Sequence, residues 1–118
     1  MFDAEEAYLL RLFIDEDDRC AGKPLYEWIV LRAREQGLAG ATVLRGMMGY
    51  GANSVIHTFK IEQLSSGLPI VIEIVDAREK LEAFLAEIDD KIPSGLATLE
   101  RVAIRLYRSA RGKDKPSR

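Results

Sequence analysis

Cysteine and histidine are nearly absent: the 118 residues hold one of each, Cys20 and His57. A single cysteine excludes an intrachain disulfide, and one thiol with one imidazole makes no cluster of metal-ligand spacing, so no structural metal is expected. Long apolar runs are missing too. No stretch approaches the ~20 residues of a membrane span, and the chain opens with Asp3, Glu5 and Glu6, where a secretory leader would be basic and then apolar. The expectation is a cytoplasmic protein that does not itself span a membrane. Excess charge is also lacking, since a formal net charge of −2 gives no general attraction to nucleic acid. The local basic excess sits in residues 108–118, beside Ser109, Gly112, Pro116 and Ser117, a composition that reads as a flexible basic tail after a domain of residues 1–107.

What is present reads as one globular domain, with 47% hydrophobic residues and enough length to bury a core unaided by crosslinks. Residues 8–14 alternate, Tyr8, Leu10, Leu12 and Ile14 against Leu9, Arg11 and Phe13, and predict a first strand. After the acidic residues 15–18 and Gly22, Pro24 fits the first turn of a helix ending near Gly37. Its core stripe is Leu25, Ile29 and Ala33, with Tyr26 and Val30 at the margin. Trp28 and Leu31 fall off that stripe, as scattered surface residues or as a subunit contact. Thr42, Val43 and Leu44 begin a second strand that runs into a loop punctuated by Gly46, Gly49 and Gly51, with an outgoing arm over residues 57–64. Residues 69–75 read as a third strand, with Pro69 at its first position.

Asp76, three residues before Glu79, predicts a capped helix start. That helix runs to about Asp90 on the stripe Leu81, Phe84, Leu85 and Ile88, and Pro93 with Gly95 closes it. A last strand is expected over residues 97–107. The order β-α-β, β-α-β predicts an α+β, ferredoxin-like βαββαβ domain, a four-stranded antiparallel sheet with both helices on one face. The helix-facing layer would be Tyr8, Leu10, Leu12 and Ile14, then Ile70, Ile72 and Ile74, then Val102, Ile104 and Leu106. The opposite face would carry Leu9, Phe13, Val71, Val75 and Tyr107 among Arg11, Glu73, Arg101 and Arg105, too apolar for an open sheet and too charged for a core. A symmetric oligomer packing sheet on sheet, with Arg11 or Arg105 of one copy against Glu73 of another, would satisfy both groups.

The segments GLAGATVLRGMMGYG (37–51) and LPIVIEIVDAREKLEAFLAEI (68–88) resemble P-II-like proteins and, more narrowly, domain-of-unknown-function family 190, over about residues 6–107. The resemblance implies a trimer of ferredoxin-like subunits that binds an adenine nucleotide or other anion in clefts between neighbours and moves the loop after the second strand to control a partner. Carried onto this chain, it puts the loop base at Arg45, Gly46, Gly49, Tyr50 and Gly51. The partner-facing loop is then Ala52, Asn53, Ser54 and His57, and the opposite cleft wall lies around Ser94, Gly95, Arg101 and Arg105. Glycines let backbone N–H groups approach an anion and arginines offer forked donors. The turn of residues 91–95 is shorter than the second phosphate loop of typical P-II proteins, which weighs against a triphosphate, and no tyrosine matches the one uridylylated in nitrogen-sensing members. Members of the narrower family are often encoded beside a fluoride channel, which makes a membrane transporter or channel a candidate partner.

Rival chemistries have less to stand on. Ser54, Ser65 or Ser66 beside His57 would need an orienting partner that the sequence does not offer, so no enzyme is expected. Cys20 next to Asp17, Asp18 and Arg19 reads as an inert thiol. The pairs Asp17, Asp18 and Asp89, Asp90 read as solvated carboxylates, and Glu27, Arg32, Arg34 and Glu35 as an exposed charged helix face. Two hypotheses remain: a ligand-operated signalling module, or a ligand-free accessory protein whose loop and tail dock on a partner.

Overall fold

The computed structural model describes residues 7–52, 56–58 and 67–110. β1 (Ala7–Asp15) leads into a small hairpin, β2 (Arg19–Cys20) with β3 (Lys23–Pro24), and then into α1 (Leu25–Glu35). β4 (Thr42–Arg45) is followed by a second small hairpin, β5 (Met48–Gly49) with β6 (His57–Thr58). β7 (Pro69–Ala77), α2 (Arg78–Ile88), a single 3-10 turn (Asp89–Lys91) and β8 (Leu96–Arg101) complete the order. The main sheet runs β4-β7-β1-β8, antiparallel throughout. This is the expected ferredoxin-like arrangement.

The core lies between the sheet and the helices. Leu10, Leu12 and Ile14 of β1, with Ile70, Ile72 and Ile74 of β7, meet Leu25, Ile29 and Ala33 of α1 and Leu81, Phe84 and Ile88 of α2. Full burial of each large apolar side chain contributes about 1.5–3 kcal/mol. Trp28, off the predicted stripe, still packs half-buried against this cluster, whereas Leu31 is exposed. α1 ends in a Schellman motif: the Leu38 N–H donates to Ala33 and that of Gly37 to Arg34, with Gly37 at φ 79°.

Several expectations are corrected. Ala21 and Gly22, at φ 53° and 81°, make the two-residue turn of the β2–β3 hairpin, a pairing the sequence reading had not anticipated. Pro24 ends β3 and precedes the helix rather than entering its first turn. β7 continues through Ala77, so Asp76 is a buried strand residue and caps nothing; α2 starts from Ala77 with no side-chain cap. The final strand stops at Arg101. Leu99, opposite Leu10, faces the core, while Val102 and Ile104 are half-buried outside the strand and Leu106 is exposed. The outgoing arm beyond Thr58, Ser65, Ser66 and residues 111–118 of the tail lie outside the described residues.

Candidate functional site

At the Asp15 end of the sheet the chain rises from β4 through Gly46 into the β5–β6 hairpin. The Gly46 N–H donates to the Pro69 carbonyl at 2.7 Å, and a Cβ added to Gly46 would stand 2.7 Å from the Pro69 ring. At Gly49 the same ring would be 3.2 Å away, whereas at Gly51 an added Cβ would meet nothing within 4 Å. Across the gap, an added Cβ at Gly95 would stand 2.5 Å from the Phe13 carbonyl oxygen. These two approaches leave a cleft of about 130 Å³ with Tyr50 and Gly51 on one side, Ser94 and Gly95 on the other, and Asp15 and Asp18 between. Thus Gly49, Tyr50 and Gly51 of the predicted loop base share one cleft with the predicted turn at Ser94 and Gly95, whereas Arg45 and Gly46 do not line it. Gly46 and Gly49 are held in place by close packing on a proline, and neither has a positive φ.

The charge of this cleft is the reverse of what a phosphate needs. Desolvation holds the Asp18 carboxyl above the usual carboxylate range, with the neighbouring charges of Asp15 and Asp17 adding to it against the Asp15 N–H, which donates to Asp18 at 3.1 Å. Arg45 turns to Glu16, with Nε at 3.1 Å and Nη2 at 3.3 Å, and the Glu16 main chain is tied to Leu68. One predicted anion donor therefore spends its fork on a carboxylate. Around the β5–β6 hairpin Met47, Met48, Tyr50 and Ile56 are all more than half exposed, and Ala52 is exposed; Asn53 and Ser54 lie outside the described residues.

Arg101 and Arg105 stand elsewhere. Arg101 pairs with Tyr8 at the opposite end of β1, on the helix-facing side of the sheet rather than the open side; at ~3.3 Å per residue that is roughly 20 Å from Asp15. Arg105 belongs to the segment of residues 102–107, which leaves the ladder where the Val102 N–H donates to the Ala7 carbonyl and crosses the sheet end to Ala39. There the Tyr107 hydroxyl donates to the Ala39 carbonyl at 2.9 Å, and the Ala39 N–H donates to the Asp76 carboxylate at 2.8 Å. Asp76 also accepts from the Ala77 N–H at 2.7 Å. An open groove of about 510 Å³ lies between this crossing segment and Val75. Asp76 and this groove escaped the sequence reading, because an aspartate before a helical stripe reads as a cap and a crossing segment has no periodicity of its own.

The open face of the sheet also differs from expectation. Register places Leu44, Val71, Phe13 and Leu96 in one row across all four strands, with Leu44 and Leu96 about half exposed. The next row holds Glu73 and Arg11. The Arg11 Nε donates to Glu73 at 2.8 Å and its Nη1 to Glu100 at 3.0 Å, both within one chain. The charges expected to pair between subunits are thus already paired across β1.

Among the described residues no helix is long and apolar enough to cross a membrane, and no group of three or more histidine, cysteine or acidic side chains is placed to hold a metal ion. The profile of the family described as DUF190, Uncharacterized ACR, matches residues 7–104. A UPF0166 protein of Aquifex aeolicus is 49% identical over 96 residues, covering 81% of this chain and 90% of that protein. A UPF0166 protein of Methanocaldococcus jannaschii is 34% identical over 74% of this chain and 80% of that protein. Among solved structures, CPII of Thiomonas intermedia K12 bound to ADP and bicarbonate aligns with TM-score 0.62 at 13% identity, over 83% of this chain and 87% of that one. CutA of Xylella fastidiosa aligns with TM-score 0.58 at 18% identity, over 86% and 88% of the two chains.

Proposed function

Because the chain belongs to the DUF190 family and shares its fold with a PII-like protein, we propose that it is a P-II-like regulatory protein. It is a trimer that takes an adenine nucleotide or another small anion at clefts between protomers, and answers through the loop of Ala52, Asn53, Ser54 and His57 to control a partner, a membrane transporter being the candidate. The observation that carries this reading is the division of the site. Within one protomer the glycine cleft is walled by Asp15 and Asp18, while Arg101 and Arg105 lie toward the other end of the sheet. Such halves make one anion site only when a second protomer brings its arginines to the first protomer's Gly49, Tyr50 and Gly51. The apolar row of Leu44, Val71, Phe13 and Leu96, half-buried at its centre and exposed at its two ends, offers the contact that would bring the copies together. The CPII structures, which hold ADP, AMP and bicarbonate, support this ligand class by fold alone.

The test is a thermal-shift screen of the purified protein against adenine nucleotides, cyclic dinucleotides and simple anions, with mass measured by light scattering in the same buffers. A ligand bound only by the folded protein adds about 2.7 kcal/mol at a hundredfold excess over Kd. A dose-dependent rise on a trimer, lost in Arg101→Gln, is the expected result. A flat response to every compound would sink the ligand-operated mechanism. The second reading, a ligand-free accessory protein that docks on a channel, would then hold; the exposed Met47, Met48, Tyr50 and Ile56 favour it.

A further inference from the structure

The groove beneath the crossing segment and the apolar tip of the β5–β6 hairpin belong to one molecule but cannot meet within it. Val75, opposite Leu9, floors the groove, and Val102, Ile104 and Leu106 roof it. The hairpin rises from Gly46 beside Pro69, the partner of Asp15 at the other end of β1, roughly 20 Å away at ~3.3 Å per residue. Both surfaces are wet in a single protomer: Met47 and Met48 of the hairpin and Leu106 of the groove are each more than half exposed. At about 510 Å³ the groove is many times the roughly 30 Å³ share of a water molecule, so it has room for inserted side chains. The rims are oppositely charged. Asp15 and Asp18 line the cleft beside the hairpin, whereas Arg105 is the one charged residue lining the groove.

Exposed apolar surface bounded by charge marks a contact, and methionine, unbranched and adaptable, fills irregular gaps. We propose that the groove receives the β5–β6 hairpin of a second copy of this chain, with Met48 inserted between Val75 and Ile104. The proposal rests on the subunit-spanning cleft described above and supplies the contact that aligns its halves. Seating Met48 sets the next residue, Gly49, beside the neighbour's crossing segment, so the glycines and Arg105 come together through an apolar fit that needs no ligand. Acidic rim then faces basic rim. Because unlike patches meet, the contact is heterologous and passes head to tail around a ring.

The experiment is site-directed crosslinking of the full-length protein in a Cys20→Ser background, which removes the native thiol. Met48→Cys combined with Ile104→Cys, treated with a short bismaleimide, is expected to give covalent dimers and trimers on a denaturing gel. Either substitution alone is expected to stay at the monomer position, since like positions do not meet in a head-to-tail contact. Far-ultraviolet spectra confirm that each variant is folded. Met48→Asp should weaken association about tenfold by light scattering on dilution, while Leu31→Ser, on the helix side of the sheet, changes nothing. Absence of crosslinks in the double variant would overturn the proposal, as would unaltered association in Met48→Asp or strong crosslinking through Met48→Cys alone. An adenine-nucleotide thermal shift on the unmodified protein separates this from the reading it rests on. A trimer that responds to nucleotide without crosslinking removes this contact alone. Crosslinking without any nucleotide response removes only the ligand-operated mechanism, and a monomer by light scattering removes both.

Discussion

Gly46 and Gly51 flank one loop yet answer to different constraints. A methyl at Gly46 would press on the Pro69 ring at 2.7 Å, so Gly46→Ala should lower stability by about 1–3 kcal/mol, as overpacking does. Gly51→Ala meets open space and should stay within about 0.5 kcal/mol of the parent; urea unfolding of the pair measures the contrast. Only at Gly51, then, does a bulkier residue probe a ligand without also probing the fold, a distinction invisible in a run of three glycines. Asp76 carries a similar lesson. Its two oxygens hold the N–H groups of Ala39 and Ala77, so Asp76→Ala should cost about 1–3 kcal/mol for a buried N–H left unpaired, together with a loosened Tyr107 contact. Asp18 acts through pH. Its carboxyl is held above the ordinary range mainly by desolvation, so the folded state retains that proton to higher pH than the unfolded state. Its contribution to stability therefore falls as pH rises from the unfolded value toward the folded one, and is restored on acidification. Asp18→Asn should flatten that part of the stability profile while keeping an oxygen to accept the Asp15 N–H.

Among elements, the helices were the most legible, because an apolar stripe at helical spacing can be covered in only one way. Leu25, Ile29 and Ala33 on α1, and Leu81, Phe84 and Ile88 on α2, are the buried residues of their helices. Phe84→Ala should cost about 3–5 kcal/mol, and a drop well under that in a denaturation series would place Phe84 at the rim instead. Between the helices Arg32 donates to Glu87 at 2.6 Å while its other arm reaches Glu35, so part of the charged face read as merely solvated ties α1 to α2. Strand ends were less legible. Alternation in β8 carries on through Leu106, but a strand lasts only as long as its neighbour supplies rungs, and the β1 ladder closes at Tyr8 and Arg101. Asp76 misled for the same reason: the partner of β7 at that position is Tyr8, far away in sequence.

For the molecule as a whole, strand alternation pointed correctly to a two-faced sheet but misplaced the charges on the open side. Arg11 is already engaged by Glu73 and Glu100, so assembly, on the reading proposed here, is driven by the apolar row. Leu44→Glu combined with Leu96→Glu should reduce the mass seen by light scattering while leaving the far-ultraviolet spectrum unchanged. An undiminished mass would move the contact off this face. Of the residues named for the candidate site, Gly49, Tyr50, Gly51 and Gly95 lie at one end of the sheet and Arg101 and Arg105 toward the other, a separation that depends on topology no local pattern records. The departure of the chain at Val102 has one more consequence. β8 is an edge strand, and an edge that continued through Val102, Ile104 and Leu106 would have offered neighbouring molecules a long apolar template for runaway strand addition. By turning away after Glu100 and Arg101, the chain withdraws that template and leaves a short edge ending in two charges, which protects the protein against growth into fibres.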